Sequence, residues 1–285
     1  MADSQGYYAF FKKLRNLLAH QHNLNAEQII EIAETFEIEI SEKDANLILD
    51  DPLVTNFIYN SISHGQDDFI QFVKQLIISI NPKSILIIPH PSTLQLLINL
   101  NNLRCECYLL ESAIFNKQGF DLLSIISHGE VKFCAVGKDD LEPQSFDLIV
   151  DLRPLGMLGG IEFDNLLEWA PLKETGKLLH LATPNFFLAN KNSGKNLASR
   201  KGYNLAASFE FPAGFFDRTS IVASLVILDK EEQGDIFAAR AITESEGTRT
   251  VISNWLGNIT SENPEFGVNV SFEEFNGLRS IIARK

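Results

Sequence analysis

The chain has 285 residues, of which 45% are hydrophobic and 21% charged, with a formal net charge of −13. This is the composition of a globular protein with one large core or two modest ones. The acidic balance disfavours binding to bare phosphate backbones, and no apolar run reaches the ~18 residues of a candidate membrane-spanning helix.

Residues 6–80 carry helical periodicity. Tyr7, Phe10, Phe11, Leu14, Leu17 and Leu18 repeat at helix spacing. Asn25 and Gln28 predict a capping box ahead of an apolar face made by Ile29, Ile30, Ile32, Ala33 and Phe36. Asp51-Pro52 predicts a third helix start, through Phe57, Ile58 and Ile62, and Asp67–Ile80 a fourth helix that Asn81-Pro82 ends. Residues 1–82 are therefore expected to form a helical N-terminal domain.

The pattern changes at Ser84–Ile88, a short continuous apolar run of the kind that is buried on both faces of a parallel sheet. Further strands are predicted at Cys105–Leu110, Val131–Val136, Phe146–Val150 and Lys177–Ala182, and helices at Thr93–Asn101, Ala113–Ser127 and from Asn165 to Trp169. The strands Tyr203–Phe211 and Ser220–Leu228 are joined by a segment too short for a crossover helix, so they pair as an antiparallel hairpin. The expectation for residues 83–230 is an α/β fold: a doubly wound, mostly parallel, seven-stranded sheet with a terminal antiparallel hairpin.

Residues 231–285 read as a C-terminal extension. It contains a strand-like Ile236–Ala241, a helix near Thr250–Leu256 and a last amphipathic segment from Ser271, where Ser271 and Glu274 form a candidate capping box. The helical pattern of Leu278, Ile281 and Ile282 runs to the chain end, which points to a truncated chain.

Three cysteines, Cys105, Cys107 and Cys134, form no Cys-x-x-Cys motif. Cys105 and Cys107 share a strand face but are poorly spaced for a disulfide, so reduced thiols in a cytoplasmic protein are expected. The start of the chain, Met1–Gly6, is polar and unlike a secretory leader. His20 and His22 lie together without a nearby Cys or acid cluster, and His64, His90, His128 and His180 are isolated in sequence, so no metal site is expected. Gly156–Gly160 lacks the Lys-Ser/Thr of a phosphate loop and reads as a mobile loop.

Two stretches carry a family likeness. Ser145–Gly156 reads Ser-Phe-Asp-Leu-Ile-Val-Asp-Leu-Arg-Pro-Leu-Gly, a buried strand followed by a turn. Ala207–Lys230 contains a strand, Pro212-Ala-Gly-Phe-Phe216, Thr219-Ser-Ile221 and a second strand ending near Lys230. Leu181-Ala-Thr-Pro-Asn-Phe-Phe-Leu188 adds a strand with a proline-containing sequel. In order and spacing, these segments resemble the adenine-N6 DNA methylases of type I restriction–modification systems, from about Ile85 to Lys230. The resemblance implies a class I S-adenosylmethionine-dependent methyltransferase fold behind a helical N-terminal domain.

It also locates the positions where that chemistry would reside, and these depart from the family pattern. The family's glycine-rich cofactor loop corresponds to Ile87-Ile-Pro-His-Pro-Ser-Thr93, which has no glycine and in which Pro89 and Pro91 each lack a backbone donor; His90 lies between them. Glu111 holds the place of the acid that bonds the ribose, and Asp139 that of the acid at the adenine end. In the family, Phe-Asp-Leu-Ile-Val leads to Asn-Pro-Pro-aromatic, whose Asn bonds the target amine and whose ring stacks on the flipped adenine. Here Leu152, Arg153, Pro154 and Leu155 fill those places, or Asp151 fills the first with a shift of one residue. Leucine can neither bond an amine nor stack as an aromatic ring does.

The resemblance and its departures imply a catalytically degenerate methylase-like module that binds or scaffolds, with no cofactor expected. Its partner would be another protein or a second copy, within a restriction or defence assembly, and nucleic acid would bind only weakly or through that partner. The alternative is an active S-adenosylmethionine-dependent methylase working through Asp151, Glu111 and Asp139.

Overall fold

The computed structural model describes residues 10, 13, 14, 17, 24–50, 66–88, 96, 100, 105–110, 133–153, 160–188, 193–216 and 222–278. The first described helix, α1, is Ala26–Glu34. Its predicted capping box is present: Gln28 N donates to Asn25 Oδ1 at 2.9 Å, and Asn25 N to Gln28 Oε1 at 3.0 Å. A second helix, α2 (Glu42–Asp50), was not marked by periodicity. Its start carries the same kind of reciprocal cap, with Asp44 N donating to Ser41 Oγ and Ser41 N to Asp44 Oδ2. The longest helix, α3 (Gln66–Ile80), matches the fourth predicted helix. The helices predicted at Asp51–Ile62 and Ala113–Ser127, and most of Thr93–Asn101, lie outside the described residues.

The parallel part of the sheet comprises β1 (Ser84–Ile87), β2 (Glu106–Leu110), β3 (Phe133–Val136), β4 (Phe146–Asp151) and β5 (Leu172–Ala182). Helix α4 (Gly160–Trp169) precedes β5, and α5 (Gly194–Arg200) follows it. Helix α4 begins five residues earlier than predicted, at the last glycine of the loop segment. β6 (Asn204–Phe211) and β7 (Ala223–Asp229) form the antiparallel hairpin, with β7 inserted between β5 and β6.

The extension adds β8 (Ile236–Arg240), helix α6 (Ser245–Leu256) and β9 (Val268–Val270). Among the described residues the sheet therefore has nine strands, in the order β3-β2-β1-β4-β5-β7-β6-β8-β9. The expected seven form its body. β8 runs parallel to β6 and pairs an edge whose backbone N–H and C=O groups would otherwise be unpaired. The capping signal of the predicted terminal helix is used locally: residues 272–274 form a turn, and Ser271 Oγ donates to the Glu274 side chain at 3.2 Å; the predicted segment beyond Leu278 lies outside the described residues.

Neighbouring residues of the central strands point to opposite faces, so the sheet carries two cores. Ile85, Ile87, Leu148 and Val150 pack with Ile29, Ala33, Phe69, Phe72 and Val73, placing the N-terminal helices on one face. Leu86, Ile88 and Ile149 pack with Phe163, Leu166 and Phe186 on the other. Edge-to-face ring pairs, Phe72 with Phe209 (5.4 Å) and Phe69 with Phe211 (5.2 Å), tie α3 to the hairpin. At the amino end of β4, Asp147 accepts the Lys83 and Ser84 amides at 3.0 Å each and the Lys173 ammonium at 2.8 Å. The acid within the Phe-Asp-Leu-Ile-Val segment thus pins three strand starts together, at the end of the sheet away from the candidate site.

Candidate functional site at the carboxyl ends of the strands

In an open α/β sheet, ligands bind beyond the carboxyl ends of the strands, at the point where strand order reverses. Here that point lies between β1 and β4. The sequence places Pro89, His90 and Glu111 just past β1 and β2, and Pro154 and Leu155 past β4; all five lie outside the described residues. Asp139 is described. It sits exposed in a single 3-10 turn, Lys138–Asp140, beyond β3, and Lys138 is held over the Trp169 ring of α4 at 5.2 Å.

The best-defined chemistry is at the end of β4. Asp151 is its last residue, fully buried, and lies beside His180 of β5 in the strand register. Arg153 folds back on it in a bidentate fork: Nε donates to Oδ1 at 2.7 Å and Nη2 to Oδ2 at 2.9 Å. The Arg153 amide adds a third bond, to Oδ1 at 3.3 Å. His180 Nδ1 lies 3.3 Å from Oδ2. With the carboxylate ionised, that nitrogen carries the proton.

Burial alone would raise the Asp151 carboxyl. The hydrogen bonds from His180 and Arg153 outweigh it and hold the group well below the usual carboxylate range. Such a group is a poor proton acceptor, and both of its oxygens are engaged within the fold. The imidazole is itself enclosed. The Phe163 ring lies 4.5 Å from it at a 30° tilt, and Phe186 lies 6.1 Å away. His180, isolated in the sequence, thus joins buried Asp151 and part-exposed Arg153 in an acid–imidazole–guanidinium cluster. Its signal was there to be found: one histidine in an apolar strand, with an aspartate at the end of a neighbouring buried strand.

Leu152 turns the other way. It is 1% exposed and belongs to the core shared with Ile85, Val150 and the N-terminal helices. The position that resembles the amine-binding one is an aliphatic plug. Among the described residues no group of three or more His, Cys, Asp or Glu side chains could hold a metal ion, and no helix is long and apolar enough to cross a membrane.

No protein-family model matches the sequence, and no curated protein matches it. Solved structures do match in shape. The methyltransferase subunit of a type I restriction–modification system from Streptococcus thermophilus superposes with a TM-score of 0.58 at 14% identity, over 87% of this chain and 65% of that one. A protein of Vibrio vulnificus assigned as the modification subunit of a type I restriction enzyme gives 0.53 at 11% identity, covering 93% of this chain and 68% of the other. A protein of Listeria monocytogenes assigned to the class I S-adenosylmethionine-dependent methyltransferases gives 0.54 at 11% identity, over 88% of this chain and 98% of its own. The chain thus spans about two-thirds of the length of the two restriction–modification subunits. At such identities the likeness concerns shape alone, and with the strand order it establishes that this chain has the class I methyltransferase fold.

Proposed function

We propose that this chain is a catalytically degenerate DNA-methylase-like module that binds or scaffolds within a restriction–modification or defence-type assembly in the cytoplasm. The observation that carries the reading is the closure of the strand-β4 terminus. Asp151 is tied down by Arg153 and His180, and Leu152 is buried in the core. A working amine methylase needs a polar group there with a free hydrogen-bonding atom. The active alternative, through Asp151, Glu111 and Asp139, meets the same difficulty. Its central carboxylate has both oxygens engaged, and Asp139 stands beyond β3, with β2 and β1 between it and β4.

The net charge of −13 and the shape likeness to restriction–modification subunits favour a protein partner over bare DNA. Isothermal titration with S-adenosylmethionine tests the reading. The expected result is no heat of binding at micromolar ligand. A dissociation constant in the micromolar range, about −8 kcal/mol, would overturn it. Methyl transfer from labelled cofactor to DNA that Asp151→Ala abolishes would establish the active alternative.

A further inference from the structure

At the opposite end of the sheet, two sulfurs lie in contact. Cys105 immediately precedes β2, and Cys107 is its second residue. Their Sγ atoms are 3.5 Å apart on one face. Cys107 is 1% exposed, in register with Ile85 of β1 and Phe133 of β3, inside the core that faces the N-terminal helices. Cys105 is half-buried at the rim of that core. One thiol is therefore reachable by a small solute, and the other is sheltered directly behind it.

We propose that Cys105 and Cys107 form a peroxide-oxidisable dithiol, with Cys105 the attacking thiolate and Cys107 the resolving thiol. The hydrogen bond between the sulfurs favours ionisation of the outer one. It lowers Cys105, and together with burial it raises Cys107. The Cys105 thiolate attacks one peroxide oxygen, the O–O bond breaks, and hydroxide leaves and takes a proton to become water. The product is a sulfenic acid. The Cys107 sulfur then attacks the Cys105 sulfur. The S–O bond breaks, and the hydroxyl leaves as water with the Cys107 proton. In total, two thiols and one hydrogen peroxide give one disulfide and two waters; two electrons pass from sulfur to oxygen.

The spacing that argues against a structural bridge sets the character of this one. With one residue between them, Cys105 at the bend before β2 and Cys107 within it, the two Cα atoms can be at most about 6.4–6.8 Å apart, the upper limit of disulfide geometry. The sulfurs must still approach by about 1.5 Å to reach bond length. The start of β2 has to bend, so the bond is strained, and strained disulfides are readily reduced. The pair is a reversible redox site and not a staple. The pair lies at the amino end of the sheet, and its oxidation does not depend on whether the methyltransferase-like site is active.

The test uses the full chain carrying Cys134→Ser, which leaves only the pair, with hydrogen peroxide as oxidant. The intact mass should fall by about 2 Da and recover with dithiothreitol. Cys105→Ser should slow loss of the Cys107 thiol by about tenfold or more. Cys107→Ala should stop the reaction at a Cys105 sulfenic acid that dimedone captures. If that core variant folds poorly, Cys105→Ser at the half-buried position still gives a readout. Complete alkylation of both thiols after peroxide treatment of the folded chain would overturn the proposal, as would oxidation of Cys107 that proceeds unchanged in Cys105→Ser.

Discussion

Replacing Asp151 by alanine removes one acceptor group from three donors, the Arg153 side chain, the Arg153 amide and His180. Breaking a buried ion pair by deleting one partner costs about 3–5 kcal/mol. Arg153 is 24% exposed and can turn its guanidinium to water, which puts the expected cost near the lower figure, about 3 kcal/mol. For 285 residues, an unfolding entropy of ~2.1 cal/mol/K per residue gives roughly 0.6 kcal/mol/K, so the melting temperature should fall by about 5 °C. The pH dependence has a definite sign. The Asp151 carboxyl is depressed in the folded chain. Its contribution is therefore fully present above the unfolded value of about 3.9 and is lost as pH falls through the lower folded value. Urea unfolding of the native and Asp151→Ala chains between pH 7 and 3 reads both effects. The stability gap should hold down to about pH 4 and narrow below it. A gap under about 1 kcal/mol at pH 7, or one that already narrows between pH 7 and 5, would refute the claim that this cluster is a tight structural unit.

Leu152→Asn places an amide in an apolar core and should cost about 2–4 kcal/mol by urea unfolding; calorimetry should detect no gain of S-adenosylmethionine binding, because Asp151 stays engaged and Pro89 and Pro91 remain. Gly194→Ala puts a Cβ 2.0 Å from Phe186 Cδ2, so either that ring or the start of α5 must move; a loss of about 1–3 kcal/mol is expected in the same assay. Lys195→Met removes the buried ammonium that donates to the Phe272 and Phe275 carbonyls at 3.1 and 2.7 Å and lies over the Phe272 ring. Amide exchange of residues 272–278 should then accelerate while that of β6 and β7 stays unchanged; equal acceleration throughout would show that the lysine supports the whole fold and not this segment.

The seven strands of the sheet's body and their order, with helices α1 and α3, were legible in the residues themselves. Burial of the central strands on both faces demands continuous apolar runs, and Ser-Ile-Leu-Ile-Ile at Ser84–Ile88 cannot be read otherwise beside alternating helical segments. The Asn25–Gln28 cap was equally visible, because a capping box is a contact between residues three apart. The departures from the methylase pattern, Leu152 above all, are also properties of the sequence. Beyond the β6–β7 hairpin, a linear reading could not supply the pairing of strands or its register. His180 and Asp151 are 29 residues apart and meet only because β4 and β5 lie side by side in one particular register. Whether Asp151 was a free acid or a bound one depended on that register and on the backward turn of Arg153. The two added strands followed the same logic: β8 needed the open edge of β6, and β9 the edge of β8, and an edge exists only once the sheet has formed. Local composition dictates which segments are buried; tertiary pairing decides which polar groups are buried together, and so whether an acid is available for chemistry.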